Sequence, residues 1–174
     1  MSYVIFPAGP EDAAELARIH VAAWRETYRG LLPDSYLDRM SPAVHARRFH
    51  ASLMRTAPDE ATLAAADRWG LVGYAAGGPS RSGRAGEAEI TTLYLLRAAQ
   101  GRGLGRGLVE GLARLFAANG ATSLMLSVLR DNLAARSFYE HLGGQAEAPR
   151  REPGPGGVTY EVSYRWPDIR ALTR

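Results

Sequence analysis

Apolar positions along this chain change period several times, and each change marks an element. Residues 4–6 form a short apolar run that reads as a first strand. Gly9, Pro10 and the acidic pair Glu11-Asp12 then carry a helix-start signature, with proline in the first turn and carboxylates at the positive end of the dipole. Leu16, Ile19, His20, Ala23, Trp24 and Thr27 recur at helical spacing, and Gly30 closes the element. A second helical stretch, residues 42–56, has a less regular stripe of Val44, Phe49 and Leu53. Residues 61–66 and 71–76 flank Asp67-Arg68-Trp69-Gly70 and predict a hairpin. A polar, glycine-rich loop over 79–86 leads into an apolar run that ends at Leu96.

Downstream, Leu104, Leu108, Leu112, Leu115 and Phe116 form the buried stripe of a helix closed by Asn119-Gly120. Residues 123–129 predict a strand, and Asp131-Asn132 caps a further helix that carries Tyr139 and ends at Gly143-Gly144. Residues 149–157 are turn-rich and read as a connection. Val158, Tyr160, Val162, Tyr164 and Trp166 alternate strictly with polar residues, as in a half-buried strand. The order β-α-α-β-β-β-α-β-α-β-β is that of a mixed α/β fold. A chain of 174 residues with 46% apolar content suits a single domain, here 1–166, followed by a tail over 167–174.

Charge and composition narrow the chemistry. Basic residues number 21, all arginine, and the net charge is only +3. The arginines are interleaved with acids, so they form no nucleic-acid stripe. Without lysine, Schiff-base and lysine general-base chemistry are excluded, and without cysteine so are thiol nucleophiles and thiolate metal sites. The four histidines are scattered without ligand spacing, so no metal is expected. No apolar run approaches the ~20 residues of a membrane span and no leader-like segment opens the chain, which makes a soluble cytoplasmic protein the default expectation.

The segment richest in chemistry is Gln100-Gly101-Arg102-Gly103-Leu104-Gly105-Arg106-Gly107, set between a strand and a helix. A glycine-rich turn that opens a helix leaves unpaired N–H groups facing one concavity, where the helix dipole favours an anion. Arg102 and Arg106 add guanidinium groups beside it. A Walker loop would require Gly-Lys-Ser/Thr, and the dinucleotide fingerprint fails in register, because its third glycine falls on Arg106 or Leu108.

The loop has the form Gln-x-x-Gly-x-Gly and resembles the pyrophosphate loop of the GNAT family of N-acetyltransferases. Residues 88–95 are similar to the family's central strand. Asn132-Leu133-Ala134-Ala135-Arg136-Ser137-Phe138-Tyr139-Glu140-His141-Leu142-Gly143 is similar to its Asn-x-x-Ala-x-x-Phe-Tyr-x-x-x-Gly segment, and residues 23–33 resemble a subset of members. Arg97 departs from the pattern, which often has proline there.

This resemblance implies a partly open mixed sheet with a bulged central strand, and an acetyl-CoA-dependent transfer to a primary amine of a small molecule or peptide. It implies that the N–H groups of Leu93 and Leu95 receive pantetheine and the thioester carbonyl, and that the amides of Arg102, Gly103, Gly105 and Arg106 hold the pyrophosphate while Gln100 shapes the turn. Tyr139 would be the general acid for the departing thiolate, its alternative being a core aromatic. Asn132 would cap its helix and also meet the pantetheine arm. Glu89 would be the base, acting through water, its alternative being a solvated strand-end glutamate; His20 and His45 are further candidates. Trp24, Tyr28 and Tyr36 would line the acceptor cleft, unless they are core aromatics. A homodimer through the strand at 158–166 and a non-catalytic CoA-binding sensor are the remaining readings that the resemblance leaves open.

Overall fold

The computed structural model describes residues 3–173. Eight strands form one sheet in the order β1-β2-β3-β4-β5-β8-β6, with β7 also paired to β8. They are β1 (Val4–Pro7), β2 (Ala61–Asp67), β3 (Gly70–Pro79), β4 (Glu87–Leu95), β5 (Ser123–Leu129), β6 (Gln145–Ala146), β7 (Arg150–Gly154) and β8 (Gly157–Trp166). Helices α1 (Ala13–Tyr28), α2 (Asp34–Arg39) and α3 (Pro42–Leu53) lie between β1 and β2. Helix α4 (Leu104–Ala118) follows β4, and α5 (Leu133–His141) follows β5.

The helical stripes decide which face of the sheet each helix covers. Leu108, Leu112 and Phe116 of α4 pack with Ile90, Leu124, Leu126 and Val162 from the strands. Leu16 and Ile19 of α1 pack on Leu71 and Tyr74 from the opposite side. Each such fully buried aliphatic side chain contributes about 1.5–3 kcal/mol of transfer free energy, so the α4 stripe is a main anchor of the sheet.

The middle of the sheet carries the irregularity that matters for function. In the β3–β4 ladder Ala76 pairs with Thr92 but Gly77 pairs with Ile90, so Thr91 is an extra residue and β4 bulges there. One inserted residue reverses the strand's alternation. Ala88 and Ile90 before the bulge, and Leu93 and Leu95 after it, therefore all join the core under α4, while Tyr94 and Leu96 turn to the α1 side. The parallel pairing of β4 with β5 covers only Glu87–Ile90 against Ser123–Leu126, and past the bulge the two strands part.

Gly77 is what lets the bulge sit against β3, because a Cβ there would collide with the backbone carbonyl oxygen of Glu89. Backbone cannot step aside as a side-chain tip can. Gly77→Ala should therefore cost about 1–3 kcal/mol, in the range of overpacked cores. Urea unfolding would check this, and a wild-type midpoint would show that the bulge tolerates a methyl group.

Three sequence expectations are corrected by the fold. The connection at 149–157 contains strand β7, hairpinned to β8 from Arg150↔Glu161 to Gly154↔Gly157. Its residues Arg150-Arg151-Glu152-Pro153-Gly154 are exposed or nearly so and carry no apolar alternation, as suits an edge strand blunted by charge and proline. Helix α2, six residues long, is absent from the expected order because it is too short to show a periodicity. Strand β8 lies inside the sheet, paired with β5 along Glu161–Trp166 and with β6 and β7 on its other edge. The tail folds back: a single helical turn over Ile169–Leu172 buries Ile169 and Leu172 in the α4 core, fixed by a hydrogen bond from Ile169 N to the Thr122 carbonyl at 2.9 Å.

Candidate functional site

The glycine-rich loop becomes the entry to α4. Gly101 and Gly103 have φ of +71° and +81°, and Gly103 is the residue at which the helix begins. The first backbone bond closed across the start of the helix runs from Gly107 N to the Gly103 carbonyl at 3.0 Å. Among the described residues, no backbone carbonyl accepts from the N–H groups of Gly103, Leu104, Gly105 or Arg106, so the amides that open this 15-residue helix are available. Gln100 ties the turn back to β4, its amide nitrogen donating to the Leu95 carbonyl at 3.2 Å. Arg102 differs from expectation. Its guanidinium donates to the Tyr3 hydroxyl at 2.5 Å and lies 6.0 Å from that ring, so its side chain turns toward the N-terminal segment rather than into the concavity. Arg106 does line the concavity, 3.6 Å from Glu110 one turn on.

The parting of β4 and β5 opens a cleft of about 940 Å³ that runs from this loop to the α1 side. Its polarity follows from strand alternation. Leu96 N donates to the Val72 carbonyl on β3 at 2.9 Å, so the N–H groups of Leu93 and Leu95, an odd number of residues away, point to the opposite edge. That edge is where β5 has left. The Leu95 carbonyl, which faces the same way, is the one that Gln100 reaches.

Helix α5 lines the same cleft with Asn132 and Tyr139. The Asn132 side-chain oxygen accepts from Ala135 N at 3.2 Å and caps the helix, as expected. Tyr139 is buried, with its ring 5.3 Å from Phe138 and 5.7 Å from Tyr164. Burial, with the nearby Tyr28 phenol adding to it, pushes the Tyr139 hydroxyl well above the usual tyrosine range, so it is a protonated donor across the neutral range.

On the α1 side, Glu89 is neither solvated nor unpartnered. It is 4% exposed, its Oε1 accepts from Arg81 Nη2 at 2.5 Å, and its Oε2 accepts from Arg81 Nε at 3.1 Å and Arg81 N at 3.0 Å. Burial pushes its pKa up, but the Arg81 hydrogen bonds and charge outweigh that and hold it below the usual carboxylate range. A depressed folded pKa stabilises the protein above the unfolded value of about 4.3, and the contribution is lost as pH falls through the folded pKa. Arg81→Gln should therefore lower stability at pH 7, and the gap to wild type should shrink toward nothing as pH falls below about 4. Urea midpoints measured across that range would check the sign.

Trp24 and Tyr28 line the cleft with rings 4.8 Å apart, and the Tyr28 hydroxyl lies 3.2 Å from that of Tyr94. Tyr36 packs at 6.2 Å from Trp24 but stands outside the cleft lining, 36% exposed, so it supports the wall rather than forming it. His20 belongs to the core: its Nδ1 is 2.6 Å from the Tyr74 hydroxyl, and burial, with the neighbouring His45, lowers its pKa to about 4.

Two cleft residues escape a reading of the sequence, Arg81 and Glu161. Arg81 sits in a polar loop with nothing to distinguish it from other surface arginines. Glu161 occupies the polar phase of the β8 alternation, which reads as solvent-facing. Its position opposite Leu129, the last residue of β5, brings it to the mouth of the gap instead.

Comparison with known proteins agrees with this geometry. The solved structures similar to the chain include a PaiA N-acetyltransferase from Thermoplasma acidophilum in complex with coenzyme A (21% identity, TM-score 0.70, covering 95% of this chain and 100% of that one). They also include YncA from Salmonella typhimurium with acetyl-CoA (20% identity, TM-score 0.72, covering 97% and 95%). An N-acetyltransferase from Rhodopseudomonas palustris shares 25% identity at a TM-score of 0.74, covering 95% of each chain. In sequence, the chain is 28% identical over 163 residues to the uncharacterized N-acetyltransferase YuaI of Bacillus subtilis, covering 93% of this chain and 91% of that protein. The acetyltransferase (GNAT) family profile matches residues 14–144, a stretch that begins in α1, passes through the bulged strand and the glycine loop, and ends just beyond α5. Those elements build both walls of the cleft, and the chain belongs to the acetyltransferase (GNAT) family.

Proposed function

We propose that this acetyltransferase moves an acetyl group from acetyl-CoA directly to a primary amine, of a small molecule or a peptide, with both substrates held together in the cleft. The observation that carries the reading is the convergence on one cleft of the open α4 amides, the Leu93 and Leu95 edge of β4 and the Tyr139 hydroxyl. Coenzyme A in the Thermoplasma PaiA structure and acetyl-CoA in the Salmonella YncA structure support the choice of cosubstrate.

The pyrophosphate would rest on the amides of Arg102, Gly103, Gly105 and Arg106, where the helix dipole and the short approach over glycine favour an anion. Gln100 would hold the turn in shape through Leu95. The pantetheine arm would lie along the free edge of β4, with Asn132 on its other side, and the thioester carbonyl would accept from Leu93 or Leu95 N–H, whose bond strengthens as the oxygen gains charge. Attack by the neutral amine forms the C–N bond, collapse breaks the C–S bond, and Tyr139 supplies the proton to the leaving thiolate. No acyl-cysteine can intervene, since the chain contains no cysteine. Trp24 and Tyr28 would form the acceptor wall. Glu89, ionised and held by Arg81, would keep the amine end of the cleft negative and could reach the amine only through water.

A free-thiol release assay with acetyl-CoA tests the reading across polyamines, aminoglycosides, amino acids and peptide N-termini. Amine-dependent thiol release with an acetylated product of matching mass is expected. Tight acetyl-CoA binding without acetylation of any amine would instead favour a CoA-responsive sensor.

A further inference from the structure

The polar face of the sheet carries three glutamates on β4 and β8, and two are fully engaged. Glu87 is bound by Ser80 at 2.9 Å, by Ser82 at 2.5 Å and by Arg165. Glu89 takes both the side chain and the backbone N–H of Arg81. Glu161 is different. It lines the cleft and is partly buried, yet its carboxylate makes no hydrogen bond or ion pair with any described residue.

The arginines of the cleft are drawn elsewhere. Arg81 is turned to Glu89, Arg97 donates to the Glu26 carbonyl at 2.8 Å, and Arg106 faces Glu110. Across from Glu161, on α1, stands Tyr28, which together with Trp24 gives the cleft an aromatic wall. A partly buried carboxylate without a direct ion pair among the described residues, opposite aromatic rings, is a receptor for an ammonium group on an apolar stem.

We propose that Glu161 binds the ammonium of the acceptor and takes its proton before attack, and that the acceptor is a primary amine on an apolar stem without a carboxylate beside the nitrogen. The inference rests on the acetyl transfer proposed above. An amine of pKa about 10.4 arrives protonated at pH 7, so one proton must leave before nitrogen can attack. In the balanced sequence, R–NH3⁺ gives a proton to the Glu161 carboxylate, the free amine attacks the thioester carbon, and the C–S bond breaks as Tyr139 protonates the thiolate. The second proton on the acylated nitrogen returns to the Tyr139 oxygen, and Glu161 releases its proton to water. An adjacent carboxylate on the acceptor would meet Glu161 and Glu89 with no uncommitted arginine between them. The charged groups that bear on Glu161 are Glu152 on β7, Glu89 on β4 and Arg81 on the loop between β3 and β4. Burial and the two glutamates push its pKa up against the pull of Arg81, which suits a group that must accept a proton.

The test compares wild type, Glu161→Gln and Glu161→Asp with pentylamine and with norleucine, which adds a carboxylate to the same stem. For pentylamine, Glu161→Gln should lower kcat/KM about a hundredfold at pH 7 and recover as pH rises toward the amine's own pKa of about 10.4, whereas acetyl-CoA affinity by calorimetry stays at the wild-type value. Glu161→Asp should keep the wild-type pH profile with a smaller loss. Wild type should prefer pentylamine to norleucine by at least about tenfold, a comparison that stands however the variants fold. Wild-type turnover in Glu161→Gln, a loss equal at every pH, or a preference for norleucine would each overturn the assignment while leaving acetyl transfer intact. A wild type that binds acetyl-CoA yet acetylates no amine on the broad panel would overturn acetyl transfer itself, and this assignment with it.

Discussion

Gly103→Asp is expected to weaken acetyl-CoA binding by about a hundredfold or more while the protein stays folded. Gly103 starts α4 with φ of +81°, a conformation that costs an L-residue about 1–2 kcal/mol. The new carboxylate would also sit where the pyrophosphate is proposed to lie and would compete for the same amides as a helix cap. Every 1.4 kcal/mol is tenfold in affinity, so modest strain plus like-charge repulsion reaches a hundredfold without any loss of fold. Folding should survive because a Cβ at Gly103 meets no atom within 4 Å. Calorimetry with acetyl-CoA, alongside urea unfolding, separates the two effects. Unchanged affinity would remove the anion cradle from the account.

Tyr139→Phe should act on turnover instead. The substitution removes one hydroxyl and leaves the ring that packs against Phe138 and Tyr164, so neither a cavity nor a lost protein hydrogen bond is created among the described residues. Stability and acetyl-CoA affinity should change little, and kcat should fall by roughly 10² to 10⁴, the range for a general acid. Since burial and the neighbouring Tyr28 raise the pKa of this phenol, no loss of its proton is expected to limit the wild-type rate through the neutral range. Steady-state thiol release at saturating acetyl-CoA would show the effect. Wild-type kcat in the phenylalanine variant would assign the proton to another donor.

Much of this site is legible in the amino-acid sequence because its parts are local. A strand, a glycine turn and a helix start are contiguous along the chain, and the features that make Gly103 and Asn132 helix starters are chemical properties of those residues. The stripe of α4 and the alternation of Val162, Tyr164 and Trp166 in β8 are equally plain, because each buries a regular apolar face, although Leu115, Val158 and Tyr160, read in the same phase, are exposed. What sequence cannot show is register and pairing between distant strands. The bulge at Thr91 depends on how β4 meets β3, and the prominence of Glu161 depends on where β5 ends. Glu89 stands out by its position on the strand, yet its binding by Arg81 comes from a loop whose composition reads only as polar. The turn at 169–172 reads as a tail because two apolar residues are too few to form a periodicity, although both are buried. β7 has no apolar face at all, so only its hydrogen bonds to β8 reveal it.

The central claim is that the gap between β4 and β5 holds the thioester between the β4 edge and Tyr139. A crystal structure with acetyl-CoA bound measures this directly. The account predicts the pyrophosphate on the amides at the start of α4, the thioester carbonyl oxygen about 2.7–3.2 Å from the N–H of Leu93 or Leu95, and the sulfur within reach of the Tyr139 hydroxyl. Pantetheine lying outside the gap, or a thioester far from Tyr139 with the pyrophosphate held elsewhere, would contradict it.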